Sequence, residues 1–526
     1  MLEHYLGKVD VLGRGAVAVC GLLGVVFLSG DAGAQEMDQE RGVAPKWKIA
    51  PSVSGSITMT DNAQPGDGAK RSDTITSVTP KIRISGKGGR VSGDLDLSLQ
   101  KNIYAQERPR NNDIQKTLAA KGKVELVDQL MYLDAGANIS RTPVSVFARQ
   151  SVGNELANNN LAETRSVNFS PYIQGVLGGS TKYELRYRNA LTKSNSGIYS
   201  NNSGVNTKIW MARFSGPTPF AQLGWSLDAD DQRVEFGDRE VKNSLLNASL
   251  DFRIDPQLKL KFGIGRESDN YNSPSNNSRS VLGYGLDWAP TERSLLKLEK
   301  LQKSYGDGHT LSFTHRTAQT AWRISDTKKV VLPGQQFTDA PVSTAYDMLF
   351  LQLASSIPDP TARAQAVSAL LQSSGISPDS LVFGNIMSSQ PFVERSQQAS
   401  VSLTGIRNTV TFSMQRGKNE RIGDGAGLTD DFAVSQSIQQ SGLSASWAYR
   451  LSPESTLTLN AVSSRSRGDA SNLDSLFRST SLLYSTQLGA RTTGAVGLRR
   501  NAFEGSGAQV QDYTEHAITG TVTATF

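Results

Sequence analysis

The side chains with chemistry to offer are four histidines, one cysteine and several alternating runs of basic residues. His309 and His315 stand six apart in HTLSFTH. On a strand an even spacing puts both on one face with Leu311 and Phe313, about 20 Å apart, too far for two ligands of one metal ion. They read as belt or rim residues. His516 stands alone near the C-terminal strand, and His4 lies in the N-terminal leader. A Ser-His-carboxylate site assembled from distant strands stays open, but there is no G-x-S-x-G elbow to support one. A phosphate-cradling G-x-x-x-x-G-K-[ST] loop is also absent, and GKGG and GYGLDW read as turn and strand glycines. No catalytic residue, cofactor site or metal site is therefore expected. The ionic faces offer more. KYELRYR sets Lys182, Glu184, Arg186 and Arg188 against Tyr183, Leu185 and Tyr187, and QLKLKFGIG sets Lys259 and Lys261 against Leu258, Leu260, Phe262 and Ile264. Basic side chains facing a wet lumen could guide an anionic glycan by weak, repeated contacts. Alternatively, carboxylates such as Glu184 pair with them and they only brace a wall.

Both readings require strands, and the same period of two runs through the chain. WKIAPSVSGSITMT places Trp47, Ile49, Val53, Ile57 and Met59 on one face, and VSGDLDLSLQ places Val91, Leu95, Leu97 and Leu99 against Asp94, Asp96, Ser98 and Gln100. The final ITGTVTATF sets Ile518, Val522 and Phe526 against Thr519, Thr521, Thr523 and Thr525. Tight connections at 86–89, 127–128, 178–180, 216–218, 255–256, 290–292, 452–455 and 489–490 alternate with long polar stretches at 62–73, 104–115, 142–163, 193–204, 270–278, 418–434 and 503–512. Short turns on one rim and long loops on the other are the arrangement of an outer-membrane barrel. Trp47, Trp288, Trp447 and Tyr449 fall beside short turns, where an interfacial aromatic belt wants them. The fold expected is all-β: a large antiparallel transmembrane β-barrel of about 22 strands, within 18 to 24, spanning 35–526.

The N-terminus supports that destination. Residues 1–34 read as a secretory signal peptide, with Lys8 and Arg14 before an apolar run and the small-residue site Ala32-Gly33-Ala34 before Gln35. Cys20 lies inside it, so the exported part has no thiolate chemistry and no disulfides. A mean hydropathy of -0.35 is compatible with lipid faces hidden in alternate residues. A net charge of +6 favours lipopolysaccharide or an acidic glycan over nucleic acid as a neighbour.

One region breaks the strand rhythm. Residues 328–395 read as a helical insertion, with STAYDMLFLQLASS and DPTARAQAVSALLQSSG as two helices. Asp359 as N-cap, Pro360 at the first helical position and Gly375 beyond the end frame the second. The insertion falls on the long-loop side, as a loop, a plug in the lumen or a lid over the mouth.

In VELVDQLMYLDAGANIS, TRSVNFSPYIQG, YELRYR, GYGLDWAPTERSLLKLE and YGDGHTLSFTHRTAQTAWRIS, taken in that order, the chain resembles the outer-membrane proteins associated with the PEP-CTERM/exosortase system of exopolysaccharide gene clusters. WAPTERS and THRTAQTAW are the more specific pieces. The resemblance implies a Gram-negative outer-membrane barrel with a non-enzymatic role in exopolysaccharide biosynthesis or export, as conduit or assembly component. Its implied partners are outer-membrane lipid and lipopolysaccharide, the barrel-assembly machinery, the exopolysaccharide and periplasmic export proteins. Phe526 resembles the terminal aromatic of the barrel-assembly signal, although Gly520 sits one residue off the usual glycine offset. A general porin, a surface protein and a glycan-modifying enzyme are the alternatives.

Overall fold

Twenty-two antiparallel strands close into one barrel in the computed structural model. The described residues are 46–526 apart from 66–67, 107–113, 154, 157, 197–203, 238, 272–274, 336–349, 351–362, 364–366, 368–385, 424–428, 471–472 and 507–511. The expected leader lies outside them. Each strand pairs with its sequence neighbour, from β1 (Lys46–Thr60) and β2 (Asp73–Lys87) round to β21 (Thr492–Gly505) and β22 (Tyr513–Thr525). β22 then pairs with β1, from Ser52 opposite Thr525 to Thr60 opposite Ala517. Closure removes both sheet edges, which a bilayer demands because no water is there to satisfy an edge.

The alternation decides which side faces which solvent. Ile49, Val53, Ile57 and Met59 of β1, and Ile518 and Val522 of β22, are exposed on the outer surface. Their polar neighbours meet inside the seam: Ser54 lies 2.9 Å from Thr523, Thr58 lies 3.0 Å from Thr519, and Thr60 donates to Glu515 at 3.1 Å. The threonine face of the last strand thus looks into the lumen. Phe526 is 66 % exposed, with its N–H on the Pro51 carbonyl at 2.9 Å.

Five of the six tryptophans, Trp47, Trp225, Trp288, Trp322 and Trp447, lie within a few residues of short turns. Trp47 packs over Gly86, where an added Cβ would come within 2.3 Å of its ring, so a larger residue there would push this aromatic off the wall. Trp447 stacks with Tyr449 at 5.9 Å. An outward apolar band with an aromatic girdle on a closed barrel makes this a Gram-negative outer-membrane protein. The strands exceed the band. Most have 13 to 15 residues, against about 9–11 needed to cross, and the excess stands on the long-loop side.

Two expectations need correction. The inserted region is shorter than 328–395: Lys328 to Val331 complete β15 (Thr320–Val331) and Phe392 to Arg395 begin β16 (Phe392–Thr404), with Lys328 opposite Arg395 and Val331 opposite Phe392. KKVV and FVER pair like with like instead of alternating polar with apolar, so they carry no strand period to tell them from the loop that they frame. The helices expected between them fall almost wholly outside the described residues, although Phe350, Arg363 and Val367 are helical and Val367 is buried. Likewise the long stretch 418–434 begins too early, because β17 (Asn408–Arg421) runs through Arg421.

Candidate functional site

A wall of 22 strands encloses a lumen too wide for its own side chains to fill. The inward faces therefore carry hydroxyls, amides and charges. On β7 (Thr181–Ser194) Arg186 lies opposite Tyr172 of β6 (Leu161–Leu177), with Lys182 and Arg188 on the same face. Arg186 donates to Glu184 at 2.9 Å and to Asp134 at 2.8 Å, and its guanidinium stacks 3.8 Å from the Tyr172 ring centre. Tyr172 in turn stacks on Tyr132 at 5.1 Å, with Lys123 over Tyr132 at 4.6 Å. Lys259 and Lys261 sit apart on β11 (Leu258–Asp269), four strands along, bound to Asp251 at 2.9 Å and Glu299 at 3.5 Å. Sequence spacing placed all five basic residues on the inner wall. The structure does not gather them into one site, and it pairs Arg186, Lys259 and Lys261 with carboxylates.

The striations of the wall end in something the sequence reading missed. The loop 144–160, between β5 (Met131–Pro143) and β6, enters the lumen at the long-loop mouth. Asparagines shape it locally. Asn160 accepts from the Ser145 N–H and donates to the carbonyls of Ser145 and Arg149, while Asn158 donates to Arg149 and Ser151. These bonds satisfy backbone that the sheet cannot reach. The far side of the loop is held by strands up to seven places round the wall. Asn501 donates to the Val152 carbonyl, Tyr513 to the Gln150 carbonyl, Ser475 to the Val146 carbonyl, and Tyr104 to the Glu155 carbonyl.

The strongest attachment is ionic. Arg499 of β21 donates to Glu155 of the loop at 2.6 Å and to Glu515 of β22 at 2.8 Å. Arg499 and Glu155 are each 13 % exposed and Glu515 is fully buried, its other oxygen taken by Asn501 at 2.9 Å. Gly153 makes this fit possible. Its φ of +100° suits glycine, and a Cβ there would lie 2.5 Å from Glu155 and 2.6 Å from Arg499.

The described ends of a second loop reach across from the opposite wall. Leu332 and Met387, at the two described ends of the 332–391 insertion, pack against Val205, Val234 and Val241 of β8 (Val205–Pro217), β9 (Leu223–Phe236) and β10 (Arg239–Arg253). β8 lies seven places round the wall from β15. Gly334, at φ +74°, comes so close to Val205 that a Cβ would sit 3.0 Å from it.

The two loops meet at a third, between β17 and β18 (Ser437–Arg450). Asp430 accepts from the Ser389 N–H at 2.9 Å, and Asp431 accepts from the Val146 N–H at 2.8 Å. Phe147, Ile386, Phe392 and Phe432 pack around this junction. Burial pushes the Asp431 carboxyl up to about 6, against hydrogen bonds from Ser145 and Val146 that hold it down.

The three histidines among the described residues are placed outside the lumen. His309 lies 3.0 Å from Asp326, His516 lies 3.0 Å from Asp61, and His315 lies 2.8 Å from the Ser294 hydroxyl, all on the outer face. No carboxylate reaches the second ring nitrogen of His315 among the described residues, and no group of acidic and histidine side chains there could hold a metal ion.

No protein-family model and no curated protein sequence matches the chain. Among solved structures it is similar to the iron transporter FrpB of Neisseria meningitidis, at 10 % identity over 91 % of this chain and 81 % of that one, with a TM-score of 0.48. It is also similar to the ferric preacinetobactin receptor BauA of Acinetobacter baumannii, at 11 % identity over 91 % and 81 %, TM-score 0.46. A third is the ferric enterobactin receptor PfeA of Pseudomonas aeruginosa, at 10 % identity over 90 % and 80 %, TM-score 0.46.

Proposed function

We propose that this barrel is a loop-gated, non-enzymatic conduit or assembly component for exopolysaccharide export, working with periplasmic export proteins. The observation that carries the reading is the contrast between a hydrophilic wall and a covered mouth. The wall is lined by hydroxyls and by charges, several of them paired with each other, which suits a polar chain that must slide and not stick. The mouth carries the loop 144–160 and the described ends of the 332–391 insertion, held through polar contacts and short apolar patches, an attachment that can release locally without unfolding the barrel. The motif resemblance to the exopolysaccharide-associated barrels supplies the substrate class, and insertion by the barrel-assembly machinery belongs to the same reading.

The decisive experiment is secretion. A strain lacking this protein should retain exopolysaccharide in the cell, and restoring the gene should restore its release; normal secretion in the deletion strain sinks the proposal. In planar bilayers the purified protein should conduct poorly. A general porin would instead show steady open conductance.

A further inference from the structure

Outside the lumen, we infer that the lipid-facing wall of β6–β11 is a binding site for a phosphorylated, acylated lipid of the outer leaflet, the lipid moiety of lipopolysaccharide. The inference rests on two neighbouring cross-strand rows and is independent of the export reading.

The first row gives a groove. Leu185 pairs with Ala212, Ala212 with Ala229, and Ala229 with Leu246, so all four project from the outer wall. Two alanines side by side leave a depression between large neighbours. Tyr187 and Trp210, paired across β7 and β8 with rings 4.5 Å apart, form its upper edge, and Trp210 is 60 % exposed. The groove has a volume of about 820 Å³ and is almost wholly apolar. Acyl chains are the occupant that a bilayer offers at this depth, and a chain lying in a preformed trough keeps more contact with the wall than one against a flat strand.

A few residues nearer the long-loop rim a second row supplies charge. Lys208 pairs with Arg233 and Arg233 with Lys242, three adjacent cations on the outer face. Each is also in contact with a carboxylate: Lys208 with Glu235, Arg233 with Asp231 and Lys242 with Glu240. Arg266, opposite Leu246 at the end of the groove, is exposed and has no ion-pair partner among the described residues. Four cations against three carboxylates leave the crown of the groove net positive. Basic residues at a membrane surface attract anionic lipid, and phosphate accepts from several donors at once. The connection between β9 and β10 is tight, since β9 ends at Phe236 and β10 begins at Arg239, so the row stands clear of overhanging loop.

The test uses the full-length barrel in detergent, checked for assembly by heat-modifiable migration, and counts bound lipid by native mass spectrometry. The probes are bis-phosphorylated lipid A and its dephosphorylated form. Wild type should hold the phosphorylated lipid, and the combined variant Lys208→Gln, Arg233→Gln, Arg266→Gln should bind it about tenfold more weakly. Ala229→Trp, which fills the groove and leaves the cations, should lose a comparable share. Arg478→Gln, an outward cation of β20 (Asp474–Gly489) away from the groove, should bind as wild type. Should the combined variant fail to assemble, the two lipids on wild type decide the matter. Equal retention of both forms by wild type, or unchanged binding in the assembled variants, overturns the site.

Discussion

The two mouths of the barrel are built from opposite chemistry. At the long-loop mouth the inward residues are buried: Ile75, Val205, Val234, Phe503 and Glu515 have almost no exposure, and the loop 144–160 and the described ends of the 332–391 insertion pack there. At the short-turn mouth the inward residues are charged and wet, as with Lys259 beside Asp251 and Arg213 beside Asp228. Buried ionic contacts are costly to break on one side alone, whereas exposed pairs contribute little. One end therefore holds its inward loop by a few strong contacts, and the other carries many weak ones.

Removing the inward loop should abolish that difference. Replacing 145–159 with a short glycine-serine linker should turn a poorly conducting barrel into an open pore in planar bilayers, the largest effect expected of any change here. A conductance no higher than wild type would show that the loop 144–160 does not close the pore. Next comes Arg499→Met, which strands Glu155 and Glu515 as uncompensated buried carboxylates. The docked loop should lose about 3–5 kcal/mol, read as faster hydrogen exchange across 144–160 with heat-modifiable migration retained. Gly153→Ala should act in the same direction, since its methyl would occupy the space where Glu155 meets Arg499.

The junction at Asp431 makes a smaller, pH-dependent prediction. Its carboxyl titrates near 6 when the loops are docked, above its ordinary value of 3.8. Between those two values the docked state binds more protons than the undocked one. Docking is therefore at its strongest in acid and weakens as pH rises through this window, by up to about 3 kcal/mol at 1.36 kcal/mol per unit. Conductance should rise between pH 4 and 7 and level off above it. Asp431→Asn should stay closed across the range; a pH response that survives this substitution assigns it elsewhere.

How much of this was legible in the sequence differs between the same two regions. The wall was readable because period two is a local signal: Tyr183, Leu185 and Tyr187 outward and Lys182, Arg186 and Arg188 inward follow from spacing alone, as does the closing strand at 518–526. The mouth was not, because its contacts join residues hundreds of positions apart. Nothing near Glu155 announces Arg499, and nothing near Val146 announces Asp431. A hint did exist. Val144, Val146, Phe147, Val152 and Leu156 are apolar residues in one loop, beside three consecutive asparagines at 158–160, and a loop that carries its own core and its own backbone partners is one that expects to be buried. The insertion boundaries failed for a local reason, since Lys328-Lys329-Val330-Val331 and Phe392-Val393-Glu394-Arg395 do not alternate and so show no period of two.

The smallest prediction separates bracing from guidance at the open end. Lys259→Gln with Lys261→Gln removes two inward cations whose partners, Asp251 and Glu299, remain in reach of water. Stability should change by less than about 1 kcal/mol, as for other exposed pairs. Cation selectivity should increase in a variant already opened by loop replacement, because two carboxylates are left without their counter-charges. If these lysines also guide an anionic glycan, the same change should slow exopolysaccharide release in cells while leaving barrel assembly intact. A rate equal to wild type would assign the paired lysines to the wall alone, and would leave Arg186, held between Glu184, Asp134 and the Tyr172 ring, as the next inward cation to test.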